Sequence, residues 1–128
     1  MKTIAIIDKH PIACWGISYI LKELFREAKL LQSQSINSFY KIYPKENPEL
    51  IILSVGQTPE ANNIRDVKKA RKLYTSSDLI VYDEEIDIPN VPSYLNAGVS
   101  GYISKQEKAS KLVTCIMDVV SGNQHVLL

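Results

Sequence analysis

The chain predicts an α/β domain: a parallel sheet with helices packed on both of its faces. Five short aliphatic runs alternate with stretches of helical character, and such alternation builds parallel strands joined by right-handed crossovers. The run Leu50-Ile-Ile-Leu-Ser-Val55, introduced by Pro48, has five apolar residues in six, the mark of a strand buried on both faces. At 128 residues the chain has the size of one domain with one core. No repeat, linker or low-complexity stretch divides it, so a single domain over residues 1–128 is expected.

Lys2 to Asp8 is the first strand, with Ile4-Ala-Ile-Ile7 running into a charge. Pro11 suits the first turn of the next helix, where its missing N–H needs no partner. That helix runs to about Arg26. Ile12, Trp15, Ile17, Ile20, Leu21, Leu24 and Phe25 recur in it at helical spacing and form a broad stripe expected to be buried. Gly16 inside it costs roughly 1 kcal/mol relative to alanine, which implies close approach of another element. Leu30 to Ser35 is a short, polar second strand near an edge. Asn37 or Ser38 caps a short helix carrying Phe39, Ile42 and Tyr43, which Pro44 ends.

The third strand is Leu50 to Ser54, followed by a loop over Gly56 to Asn63. Ile64, Val67, Ala70, Arg71 and Tyr74 outline the third helix. Its basic run, Arg65 to Lys72, is interrupted by Asp66 and lacks aromatic interleaving, so it reads as a solvated face rather than a nucleic-acid patch. Asp78-Leu-Ile-Val-Tyr-Asp83 is the fourth strand. Two prolines delay the fourth helix to about Val91 to Asn96, and Gly98 ends it. Val99 to Ile103 is the fifth strand. Ala109, Leu112, Val113, Ile116, Met117 and Val120 mark a last amphipathic helix, stopped at Ser121-Gly122 and followed by a short apolar tail from Gln124.

The composition is 45% hydrophobic and 23% charged, and the net charge of +1 comes from 15 basic and 14 acidic residues. That balance leaves no electrostatic footprint for nucleic acid or an anionic membrane. No apolar run reaches 18 residues, and the first strand is too short for a signal peptide, so a cytoplasmic protein without membrane contact is expected. Cys14 and Cys115 fall in helical patterns far from any metal-ligand spacing and read as buried reduced thiols.

In open parallel sheets, sites form past the carboxyl ends of the strands. Strands one, three, four and five end in Asp8-Lys9, Ser54, Asp83 and Lys105. If these ends meet, the pocket holds two carboxylates, two ammonium groups and a hydroxyl. Glycine-rich phosphate loops and a nucleophile–base pair are both missing after the first strand, so an enzyme of this architecture is not favoured.

Four segments carry a resemblance to the receiver domains of bacterial two-component response regulators of the NarL/LuxR type. They are Ile6-Ile-Asp-Lys-His-Pro11, Pro48-Glu-Leu-Ile-Ile-Leu-Ser54, Leu79-Ile-Val-Tyr-Asp83 and Ala97-Gly-Val-Ser-Gly-Tyr-Ile-Ser-Lys105. The last resembles the family's Ala-Gly-Ala-x-Gly-Tyr-x-x-Lys signature. The resemblance spans essentially the whole chain and implies the flavodoxin-like (βα)5 fold, strand order 2-1-3-4-5, in three layers. It also marks where this chain departs. Lys9 stands at the second of two acidic positions that help hold Mg²⁺, Ser54 at the phosphoacceptor aspartate, and Asp83 at the hydroxyl residue that binds the phosphoryl group. Asp8 and Lys105 keep the family identity, and Tyr102 matches the aromatic that switches rotamer.

Phosphorylation of an acyl oxygen needs a carboxylate nucleophile and a cation to offset phosphate charge. Three carboxylates and one lysine would make a site of charge −2. Asp8 and Asp83 against Lys9 and Lys105 make zero, and Asp83 repels phosphate. The expectation is a degenerate phosphoacceptor pocket with no catalytic or metal-ligating residue, no cofactor and lost Mg²⁺ binding, in which Lys9 and Lys105 pair with the two aspartates. Ser54 is a poor kinase target at the end of a buried strand, and His10 reads as a helix-start residue rather than a base.

The implied role is a pseudo-receiver: a phosphorylation-independent regulatory and dimerisation module, not an enzyme, of a LuxR-type transcription regulator. The alternative is a stand-alone pseudo-receiver that binds a signalling protein. A protein partner or a second copy is expected on the face of helix 4, strand 5 and helix 5 (Val91 to Gly98, Val99 to Ile103 and Lys108 to Val120). DNA would be reached only through an output domain absent from these residues.

Overall fold

The computed structural model describes residues 1–56 and 62–126. Strands β1 (Thr3–Ile7), β2 (Lys29–Ser33), β3 (Leu50–Val55), β4 (Asp78–Asp83) and β5 (Gly101–Ser104) alternate with helices α1 (Pro11–Leu24), α2 (Ile36–Ile42), α3 (Asn63–Leu73), α4 (Val91–Asn96) and α5 (Ala109–Val120). All strand pairs are parallel, and the first five strands lie in the order 2-1-3-4-5. The flavodoxin-like fold is thus present, with one addition. His125–Val126 forms a sixth strand, β6, paired in parallel with β5 through Gly101↔His125 and Tyr102↔Val126. The tail read as merely apolar therefore covers the outer edge of β5. An exposed edge strand is open to unwanted pairing, and β6 closes that edge. It is tied to α5 by His125 Nδ1 and Asp118 Oδ2 at 2.6 Å.

The period of two in the strands feeds two cores. Ile4, Ile6, Leu50, Ile52 and Ile80 face α1 and α5, where Cys14, Ile17, Leu21, Leu112, Cys115 and Ile116 are buried against them. Ala5, Ile7, Ile51, Leu53, Leu79 and Val81 face α2, α3 and α4, with Phe39, Val67, Ala70 and Tyr94. Both cysteines are buried free thiols, and burial pushes the Cys115 thiol up to about 12. Gly101 sits where β5 meets α5. A Cβ there would stand 3.0 Å from Cys115 Sγ and from Val119 Cγ2.

Several local expectations change. The cap of α2 is Ser35, whose Oγ accepts from Ser38 N while the Ser38 hydroxyl accepts from Ser35 N. This reciprocal box satisfies two end groups at once, which neither Asn37 nor Ser38 alone would do. The expected loop at 57–61 lies outside the described residues. Lys68, Lys69 and Lys72 are exposed as a solvated face, but Arg71 turns inward and donates to the carbonyls of Tyr74, Thr75 and Gly98.

The larger correction is α1. Its core face is Cys14, Ile17 and Leu21, whereas Ile12 is 85% exposed and Trp15 72% exposed. A Cβ on Gly16 would meet nothing within 4 Å, so among the described residues no element approaches it. The physical reason is that α1 is apolar around most of its circumference, and periodicity cannot choose which face the sheet takes. No helix among the described residues is long and apolar enough to cross a membrane.

Candidate functional site

The parallel sheet brings the carboxyl ends of β1, β3, β4 and β5 together, and register does the fine placement. Ser54 of β3 lies opposite Tyr82 of β4, and Asp83 opposite Ser104. The residue just past β1, Asp8, is 3% exposed and takes donors on both oxygens. Lys105 Nζ lies 2.6 Å from Oδ2 and Ser54 Oγ donates to the same oxygen at 2.5 Å, while the backbone N–H of His10 donates to Oδ1 at 2.8 Å. Burial pushes this carboxyl up. The ammonium, the hydroxyl and the N–H together outweigh it and hold Asp8 below the usual carboxylate range. Lys105 is itself fixed, with its backbone N–H on the Asp83 carbonyl at 2.6 Å and its Nζ 5.5 Å from the centre of the Tyr82 ring.

Asp83 makes a second, separate arrangement. Its Oδ2 accepts from the Tyr102 hydroxyl at 2.7 Å, and that hydroxyl accepts the Asp87 N–H at 2.9 Å. Tyr102 is fully buried and stacks on Tyr94, ring centres 5.7 Å apart. Burial and the neighbouring carboxylate both raise the phenol, so it stays a donor at any ordinary pH. The sequence alone gave no role to Asp87 or Tyr94. The spacing of Tyr94 three residues after Val91 on α4 is a usable sign, but the reach of Asp87 depends on a loop path that no pattern announces.

Lys9 corrects the sequence reading. It was expected to pair with an aspartate, yet it is exposed and makes no ion pair among the described residues. Asp8 already has Lys105, so dehydrating a second ammonium would cost energy with little return. Among the described residues Asp83 accepts from the Tyr102 phenol and the Glu85 N–H and makes no ion pair with a lysine. His10, read as a helix-start residue, does precede Pro11, and its Nε2 lies 3.4 Å from Glu84 Oε1 across the mouth of the site. That mouth opens into a cavity of about 310 Å³, lined by Asp8, Lys9, Ser54, Asn63, Glu84 and Lys105 among others.

A Mg²⁺ site requires oxygen ligands, usually carboxylates with room for water. Here the Asp8 carboxylate is occupied by an ammonium, a hydroxyl and an N–H, the neighbouring position supplies Lys9, and Ser54 offers a hydroxyl already donated to Asp8. Among the described residues no group of three His, Cys, Asp or Glu is arranged to hold a metal.

No protein-family model matches the chain. Over 128 residues it is 25% identical to a protein of Pseudomonas aeruginosa described as a transcriptional regulator, covering 98% of this chain and 59% of that protein. The chain spans 52–59% of the length of the curated relatives it matches. Among solved structures, a LuxR family DNA-binding response regulator from Silicibacter pomeroyi superposes with a TM-score of 0.84. That match has 17% identity and covers 100% of this chain and 98% of the other. The isolated receiver domain of RcsB from Salmonella enterica serovar Typhimurium, solved with the phosphomimetic BeF₃⁻, gives 0.84 at 17% identity, with coverages of 98% and 93%. The fold is that of response-regulator receivers.

Proposed function

We propose that this chain is a receiver-type regulatory module of a LuxR-type transcription regulator, set by protein contacts rather than by phosphorylation and Mg²⁺. The observation that carries the proposal is Ser54 Oγ donating to Asp8 at 2.5 Å, at the strand end where a receiver presents its phosphoacceptor carboxylate. A hydroxyl there needs a base to become a nucleophile. Its close acceptor among the described residues, Asp8, is held in its ionised form by Lys105 and is a weak base for that reason. The Asp83–Tyr102 hydrogen bond supports the same reading, because a carboxylate replaces the hydroxyl that would report an arriving phosphoryl group and holds the aromatic inward. The longer transcriptional regulators among the relatives support the output. Protein contact is assigned to α4 and α5, whose Ser93 and Lys111 are exposed; β5, expected to share that face, is buried and its edge is paired with β6.

The test is incubation with acetyl phosphate and Mg²⁺, read by intact mass and near-ultraviolet circular dichroism. The expected result is an unmodified chain and an unchanged spectrum. Ser54→Asp alone should also stay unmodified, while Lys9→Asp/Ser54→Asp/Asp83→Thr should acquire a hydroxylamine-labile adduct. An adduct on the unaltered chain, or a Mg²⁺-dependent spectral change, overturns the proposal.

A further inference from the structure

The exposed face of α1 combines large apolar side chains with an absence of charge. From Pro11 to Leu21 there is not one Asp, Glu, Lys or Arg, whereas the outer face of α3 carries Arg65, Lys68, Lys69 and Lys72. On that uncharged face Ile12, Trp15, Gly16 and Tyr19 follow helical spacing, and Ile12, Trp15 and Tyr19 are 85%, 72% and 62% exposed. The Trp15 and Tyr19 rings lie 6.4 Å apart and form one continuous surface. A solvated helix in a monomer is not built this way, since large exposed apolar patches mark interaction sites. Gly16 sharpens the point. It lowers helix stability by roughly 1 kcal/mol relative to alanine, yet nothing among the described residues needs its missing side chain.

We infer that α1 is a self-association surface whose occupant is the α1 helix of a second copy of this chain, packed antiparallel about a two-fold axis between residues 15 and 16. A two-fold contact is self-complementary: if residue i meets j, then j meets i. With the axis at that point, Trp15 lies over Gly16 of the partner subunit and Ile12 packs against Tyr19 of the partner subunit, each contact occurring twice. The largest side chain on the face is thus matched to its one gap. A knob and a hole at adjacent positions of a single face fit each other only through a second copy.

The area agrees. Large side chains of this kind carry roughly 150–250 Å² each, so the three at their observed exposure offer on the order of 450 Å² of apolar surface. That is about half of the ~800 Å² that each partner contributes to a standard interface, with an aromatic centre of the kind that dominates binding energy. This surface lies apart from the pocket, and the inference stands whether or not Ser54 is ever phosphorylated.

The test is sedimentation velocity on the chain from roughly 1 to 200 µM, the range suited to an interface with a half-standard apolar centre. A concentration-dependent dimer is expected, with Trp15 emission moving to the blue as the dimer forms, since this is the chain's one tryptophan. Trp15→Glu should be monomeric throughout. Gly16→Ala should raise the melting temperature of the dilute protein and weaken the dimer by about tenfold or more. A chain that stays monomeric across the range overturns the inference. So does a dimer that survives Trp15→Glu, or one that is lost with Lys111→Glu on α5 and kept with the α1 variants.

Discussion

Replacing Lys105 with methionine removes the ammonium from Asp8 while keeping most of the stem. The Nζ–Oδ2 distance of 2.6 Å corresponds to a gross attraction of about 6 kcal/mol at an effective dielectric of about 20. Much of that offsets desolvation, because the Asp8 side chain is fully buried and that of Lys105 is 18% exposed. Breaking a buried pair by deleting one partner costs about 3–5 kcal/mol. Asp8 keeps Ser54 and the His10 N–H, so the lower end, about 3 kcal/mol, is expected. For a chain of this size that is roughly 10 °C in melting temperature.

The pH dependence identifies the cause. In the native protein Asp8 is depressed, so its contribution is present above the unfolded carboxyl range near pH 4 and is lost as pH falls through the lower folded value. In the variant, burial, the largest influence, is opposed only by Ser54 and the N–H, so the carboxyl rises. A raised carboxyl contributes stability at low pH and loses it as pH rises through the folded value. The deficit of Lys105→Met should therefore grow from about pH 3 to about pH 7. Urea denaturation across that range measures it by far-ultraviolet circular dichroism, because exposed Trp15 is a poor reporter of unfolding. Asp8→Asn/Lys105→Met should recover much of the loss. A deficit that does not vary with pH would refute the reasoning and leave only the lost packing of the lysine stem.

Tyr102→Phe removes the donor 2.7 Å from Asp83 and should cost about 1.5–3 kcal/mol by the same titration, as expected for a hydrogen bond to a charged group. Gly101→Ala drives a Cβ to 3.0 Å from Cys115 Sγ and Val119 Cγ2. It should destabilise by about 1–3 kcal/mol, and Cys115→Ser should not worsen it additively, since the two changes share one contact. Ser35→Ala removes the oxygen that accepts from Ser38 N and should cost about 1 kcal/mol, with faster amide exchange confined to the first turn of α2.

Much of this protein is determined by its sequence alone. The aliphatic runs and their helical partners set the order of the first five strands and the five helices, because periods of two and 3.6 are local properties of the backbone. The strand-end rule puts Asp8, Ser54, Asp83 and Lys105 at the carboxyl ends of β1, β3, β4 and β5 without settling which of them touch. Tertiary structure decided what could not be local. Lys105 rather than Lys9 holds Asp8, because the two lysines differ in burial and not in chemistry. Asp83 took Tyr102, a partner set by the register of β4 on β5. The sheet chose Cys14, Ile17 and Leu21 from a helix apolar nearly all round, leaving Ile12, Trp15 and Tyr19 in water. The tail became β6 because β5 offered an open edge, a vacancy visible only once the sheet had formed.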